Sequence, residues 1–185
     1  TSKNNPAQLL ISKIFKLHLN TLQRDEVNYT LYYKDVLDVL GHTLVEPYIQ
    51  AKEVEQIIKF NNFTFFSQKK LIEIYNQHSK KEKNPLFEML FSKWENNSEK
   101  IVENLLAIIL FIKSKLSNET QEEIITKAFL HSIYEVLNRL SSFISTYQAS
   151  LSVKGLYAVY KQIIDLAEVS FEGKPLTGLQ IMGVL

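Results

Sequence analysis

Residues 98–116 read SEKIVENLLAIILFIKSKL, and residues 119–148 read ETQEEIITKAFLHSIYEVLNRLSSFISTYQ. These two stretches decide the fold class. The first predicts a strongly apolar helix opened by the turn Asn96-Asn97-Ser98. The second carries Ile124, Ala128, Ile133, Val136, Leu137, Leu140 and Ile144 at helical spacing, with Asn118 as the expected cap. Two long apolar-striped helices in succession call for further helices to cover them, and the rest of the chain supplies these.

Toward the C-terminus, Ser152 opens a helix expected to run through Glu168, with Leu156, Tyr160, Ile163 and Leu166 facing inward. Toward the N-terminus, Asn84-Pro85 reads as a cap followed by Pro at the first helical position, opening a short helix through Trp94. Ser67 is the expected cap of a helix over 68–79, preceded by an aromatic knot of Phe63, Phe65 and Phe66. Pro47 opens a segment to about Phe60, with Val54, Ile57 and Ile58 inward. Lys34 to Leu40 sets Val36, Leu37 and Leu40 on one face, and Gly41 fits a left-handed C-terminal cap. Tyr29-Thr30-Leu31-Tyr32 reads as extended. Asn5-Pro6 opens the first helix, over 6–22, through Leu10, Ile14 and Leu17.

The expected fold is therefore mainly all-α, about eight helices over residues 1–168. Beyond it, Val169-Ser170-Phe171-Glu172-Gly173 alternates in the strand manner. Leu176 to Leu185, with Gly178 and Gly183, also reads as a strand. Residues 169–185 are thus expected to be β-like and to belong to a neighbouring α/β domain. A start at Thr1 and an apolar end at Leu185 fit a piece cut from a longer protein.

Composition narrows the function classes. The 185 residues contain 45% hydrophobic and 22% charged residues, ordinary for a globular domain, and only 5 Gly and 4 Pro, too few for a loop-rich all-β fold. No Cys is present, which excludes disulfides, thiolate nucleophiles and Cys-ligated zinc. The most apolar run, 105–112, is closed by Asn104 and Lys113, far short of the roughly 20 residues that span a bilayer. With a polar N-terminus in place of a signal sequence, the chain is expected to be bacterial and cytoplasmic, with no membrane partner. Net charge is +1, and the basic residues other than Arg24 and Arg139 are all Lys, so any nucleic-acid contact has to be local.

Chemistry-bearing motifs are sparse. His18, His42, His78 and His131 form no HExxH or HxH pattern, so no metal is expected. His18 and His131 read as helix residues satisfied in place. His42, after Gly41, reads as a cation at a helix C-terminus. Glu53/Glu55 and Glu122/Glu123 point to different sides of a helix, which suits a solvated face better than an acid/base pair. Asp35 and Asp38 stand one turn apart beside Lys34, outside any polar cluster. Neither GxxxxGK[ST] nor GxGxxG occurs, so no phosphate-cradling loop or nucleotide cofactor is expected. The best binding candidate is the cationic stretch Lys69, Lys70, Lys80, Lys81 and Lys83, near the aromatic residues Phe66 and Tyr75. Phe60, Phe63, Phe65, Phe66, Phe87, Phe91 and Trp94 are expected mostly as core, with one or two open to base stacking.

Two segments carry a family resemblance. Tyr32-Tyr33-Lys34-Asp35-Val36-Leu37-Asp38-Val39-Leu40-Gly41-His42 resembles the YYKDVLxLLxHP stretch of a Bacteroidetes family of AddB-like PD-(D/E)XK nuclease proteins with an inactivated superfamily I helicase region. Pro175-Leu176-Thr177-Gly178-Leu179-Gln180-Ile181-Met182-Gly183-Val184-Leu185 resembles that family's PLxGLQIMGVLETRxLDF stretch, at the opening of helicase motif V. The resemblance implies that the helical body is the 2B-like insertion of a DNA-repair protein that processes double-strand ends. On that reading the chain is no enzyme by itself and holds no cofactor. Its partners would be DNA, the remaining helicase-like and nuclease domains, and an AddA-like helicase subunit. Gly183 and Leu185 stand where active helicases carry a Thr and a His, so the likeness is to a degenerate helicase fold, in which Gly183 would let the backbone approach a phosphate. The alternative reading is a stand-alone helical module whose apolar groove takes a partner helix.

Overall fold

The structure is a computed structural model and describes residues 5–24, 29–79 and 83–173. Among these residues the chain is mainly all-α. Its helices are α1 (Pro6–Arg24), α2 (Tyr33–Leu40), α3 (Glu46–Ile49), α4 (Lys52–Phe60), α5 (Gln68–His78), α6 (Pro85–Phe91), α7 (Ser98–Lys115), α8 (Gln121–Tyr147) and α9 (Val153–Gly173). A two-stranded antiparallel ribbon joins β1 (Thr30–Tyr32) to β2 (Phe65–Ser67).

The quoted pair of stretches forms α7 and α8, the most extensively packed pair of elements in the fold. Ile101, Val102, Leu105, Ile108, Ile109 and Ile112 bury one face of α7; Leu130, Ile133, Val136, Leu137, Leu140 and Ile144 bury the facing stripe of α8. Asn97 caps α7 by accepting from the Lys100 amide at 3.1 Å. Thr120, rather than Asn118, caps α8. Its hydroxyl accepts from the Glu123 amide at 3.2 Å, and the Glu123 carboxylate accepts from the Thr120 amide at 3.3 Å, a closed capping box. The Ser117 hydroxyl also donates to Glu123 at 2.6 Å, and these bonds hold the Glu123 carboxyl below the usual carboxylate range. Thr120→Ala is expected to lower stability by about 1 kcal/mol, read as a lower urea midpoint at an unchanged slope.

Helix α1 is the hinge of the architecture. It packs on α8 and α9 on one side and on α2 and β1 on the other. Such a helix must be apolar around much of its circumference, and Ala7, Leu10, Ile11, Ile14, Phe15 and Leu17 are all fully buried. Asn5 caps it, accepting from the Ala7 amide at 2.9 Å. In the smaller layer, β1 pairs with β2 in the register Thr30↔Ser67, Leu31↔Phe66, Tyr32↔Phe65. The ladder extends through Tyr33 N–H to Thr64 O and Gln68 N–H to Tyr29 O.

Several expectations are corrected. Gly41 has φ −82°, so α2 ends without a left-handed cap. A left-handed residue stands instead at Gln50, φ 53°, and splits the expected single segment after Pro47 into α3 and α4. Helix α6 stops at Phe91, before Trp94. On α9 the inward residues are Val153, Leu156, Tyr160 and Ile164, while Leu166 is exposed. Helix α9 also continues to Gly173. Val169 to Gly173 is therefore helical rather than strand-like, because a short alternating run is extended by an already formed helix at lower cost than it starts a strand alone. The remainder of the expected strand segment, 174–185, lies outside the described residues.

Candidate nucleic-acid interface

The five lysines singled out in the sequence divide into two groups. Lys69 and Lys70 are exposed on the first turn of α5, and Lys83 is exposed just before α6. Lys80 and Lys81, like Gly183, lie outside the described residues. Ser67 fixes the α5 start by accepting from the Lys70 amide at 3.1 Å, and no acidic residue stands in that first turn. Asn84 fixes the α6 start through the Leu86 and Phe87 amides and donates its own amide to Tyr48 O at 2.9 Å.

Between α5 and α6 lies a cleft of about 300 Å³, lined by Gln68, Ile72, Tyr75, Lys83 and Phe87 among others. Gln68 Nε2 donates to Phe91 O at 2.5 Å across one end. Tyr75 and Phe87 stack at 3.8 Å and 10° to form the floor. Gln68 meets the last residue of α6 while Lys83 precedes its first. The Lys69–Lys70 turn and Lys83 therefore mark opposite ends of the cleft, roughly 10 Å of helix apart. Tyr75 and Phe66, the aromatics nearest in sequence, are buried and offer no face to a base. An exposed ring occurs elsewhere: Phe60 is 87% exposed, while Tyr32 and Phe65 are half-buried.

The histidines resolve differently from one another. His131 and His78 are exposed. His42 is buried, and its Nδ1 accepts from the Leu44 amide at 3.2 Å. Burial, reinforced by the charge of Lys13, lowers its pKa to about 4. It is thus neutral near pH 7 and not the helix-end cation expected from its position after Gly41. His18 is 0% exposed and, as expected, is a helix residue satisfied in place. Its Nε2 lies 3.0 Å from Leu90 O and donates to it, which leaves Nδ1 to accept from the Tyr29 hydroxyl. The ring stacks on Trp94 at 4.0 Å and 10°; the Trp94 backbone amide donates to the Tyr29 oxygen and its Nε1 to Asn104 Oδ1. Burial lowers the His18 pKa to about 3 and raises that of Tyr29. This cluster ties α1, α6, α7 and the residue before β1 together.

Asp35 is also buried, held by Asn20 Nδ2 at 2.5 Å and by Lys16 at 3.5 Å across the α1–α2 contact. Among the described residues, no group of three or more His, Cys, Asp or Glu side chains is placed to hold a metal ion. Nor is any helix there long and apolar enough to cross a membrane. Compared with protein-family models, curated proteins and solved structures, the chain matches none.

Proposed function

We propose that this chain is a non-catalytic helical domain of a bacterial, cytoplasmic helicase–exonuclease-type DNA-repair protein, and that it contacts DNA rather than acting on it. The observation that carries the DNA contact is the α5–α6 cleft framed by exposed Lys69, Lys70 and Lys83. Cations on a surface attract phosphates by releasing counterions, whatever the base sequence, and here they outnumber the exposed Glu73 and Glu88 beside them. The family resemblance supplies the repair context, including the helicase-like and nuclease domains and an AddA-like subunit as neighbours.

The test is DNA binding against salt. The chain is expected to bind DNA at low salt, with affinity falling steeply as salt rises. Replacing Lys69, Lys70 and Lys83 by Gln is expected to weaken binding roughly tenfold and to reduce the log–log salt slope by about 2 to 3. Absence of binding at roughly 50 mM salt would sink the proposal.

A helix-docking module is the second reading, and the long helix α8 favours it. Ile124 and Ile125 near its start, and the ring pair Phe143–Tyr147 at 4.9 Å near its end, are exposed. Capture of a partner helix without DNA, undone by substitutions on α8 and untouched by the Lys variants, would select it.

A further inference from the structure

Helix α8 carries an exposed stripe along most of its length. Ile124, Ala128, Glu135, Arg139, Phe143 and Tyr147 follow one another at steps of four or seven residues, and all are exposed. In one continuous helix that spacing keeps them on one side, turned away from Ile133, Leu137, Leu140 and Ile144, which bury against the bundle.

The stripe is apolar at both ends and charged in the middle. Ile124 and Ala128 form one end. The Phe143 and Tyr147 rings, 4.9 Å apart, form the other. The charges between Ile124 and Tyr147 are Lys127, Glu135 and Arg139. Lys127 is occupied, its Nζ donating to Asn118 Oδ1 at 2.8 Å. Among the described residues, Glu135 and Arg139 form no ion pair and no side-chain hydrogen bond. An open guanidinium presents the planar fork that fits a carboxylate.

This pattern is self-complementary. Turned end for end it is again apolar, charged, apolar, but the acid and the base have exchanged order. An antiparallel copy that sets Tyr147 against the partner's Ile124 also sets Phe143 against the partner's Ala128, a ring over a small side chain. The same register brings Arg139 within one helical turn of the partner's Glu135. Each contact occurs twice about the two-fold axis. A parallel copy would set acid on acid. An unrelated apolar helix would leave both charges facing no counter-charge.

We propose that α8 is a self-association surface, through which two copies of this chain pair antiparallel, with Phe143 on Ala128 and Arg139 beside Glu135. This rests on the helix-docking reading of α8, for which it names the partner, and is independent of the DNA contact, which uses other residues. The stripe is roughly 40 Å long and 10 Å wide, or about 400 Å² a side. A standard interface takes ~800 Å² from each partner, so the dimer is weak and concentration-dependent.

Sedimentation equilibrium of the full 185-residue chain, up to roughly 0.5 mM, reads the pairing directly. Dimer is expected at the top of that range. Arg139→Glu and Glu135→Arg each set like charges together and are each expected to weaken pairing about tenfold. Mixed in equal amounts, these two variants are expected to pair with one another within about threefold of the unmodified chain, because each then meets the opposite charge. Phe143→Ala is also expected to weaken pairing about tenfold. All three positions are exposed, so the variants keep the fold. An unmodified chain that stays monomeric overturns the proposal. If that monomer captures a foreign apolar helix, the docking reading alone survives; if it captures none, both fall. A dimer indifferent to the charge reversals, or reversals that mixing does not rescue, overturns the proposal as well.

Discussion

Lowering the pH from 7 to 4 is expected to remove about 3 kcal/mol of stability through His18 alone. The folded-state pKa is about 3, below the ordinary 6.5, because the ring is buried. Between those values the unfolded chain binds a proton that the folded chain refuses. The stabilisation is complete above about pH 6.5 and falls away as pH drops toward 3. His42, lowered to about 4 by burial and by Lys13, acts in the same direction over a narrower window. No charged side chain contacts the His18 ring nitrogens to rescue the proton, since their partners are the Tyr29 hydroxyl and Leu90 O. In thermal melts the fall corresponds to roughly 6–12 °C for a chain of this size. His18→Gln should be less stable at pH 7, having lost the stack on Trp94, yet show a clearly shallower decline between pH 7 and 4. Parallel declines for the two proteins would refute the assignment.

The second large effect is expected at Trp94. The residue touches two helices at once: its ring stacks on His18 and meets Phe15 edge-on at 5.4 Å, both on α1, and donates from Nε1 to Asn104 of α7. Its backbone amide meets the Tyr29 oxygen at 3.3 Å. Trp94→Ala empties the space beside two rings and leaves Asn104 without that donor, a cost of about 3–5 kcal/mol. Against a total stability of about 5–15 kcal/mol, the variant stands near the edge of folding. Trp94→Phe keeps most of the ring contact and should cost less than half as much. The measurement is the urea midpoint of the three proteins. A loss below about 1 kcal/mol for the Ala variant would show that the cluster does not anchor the layers.

Helices were legible because their signals are local. The Ser67 and Asn84-Pro85 starts stand where read, and the α8 stripe faces inward from Ile133 to Ile144, while its expected first members Ile124 and Ala128 are exposed. The α8 cap was misplaced by two residues although Thr120-Gln121-Glu122-Glu123 carries the capping-box pattern. Gly41 looked like a left-handed cap because Gly relieves that conformation, but the backbone there had no need of it. Of the candidate site, only the Lys69, Lys70 and Lys83 cations were legible. Their named aromatic neighbours Phe66 and Tyr75 proved buried, because strand pairing and the α5–α6 contact cover them.

The sequence by itself determined the helical class, most helix starts and the local excess of lysine after residue 59, since caps, periodicity and charge are properties of neighbouring residues. Only the tertiary structure decided which face of each ring was covered, and that His18 would be neutral and sealed among Tyr29, Leu90 and Trp94. Burial and pairing between segments far apart in the chain depend on what packs against what, and no local pattern encodes that.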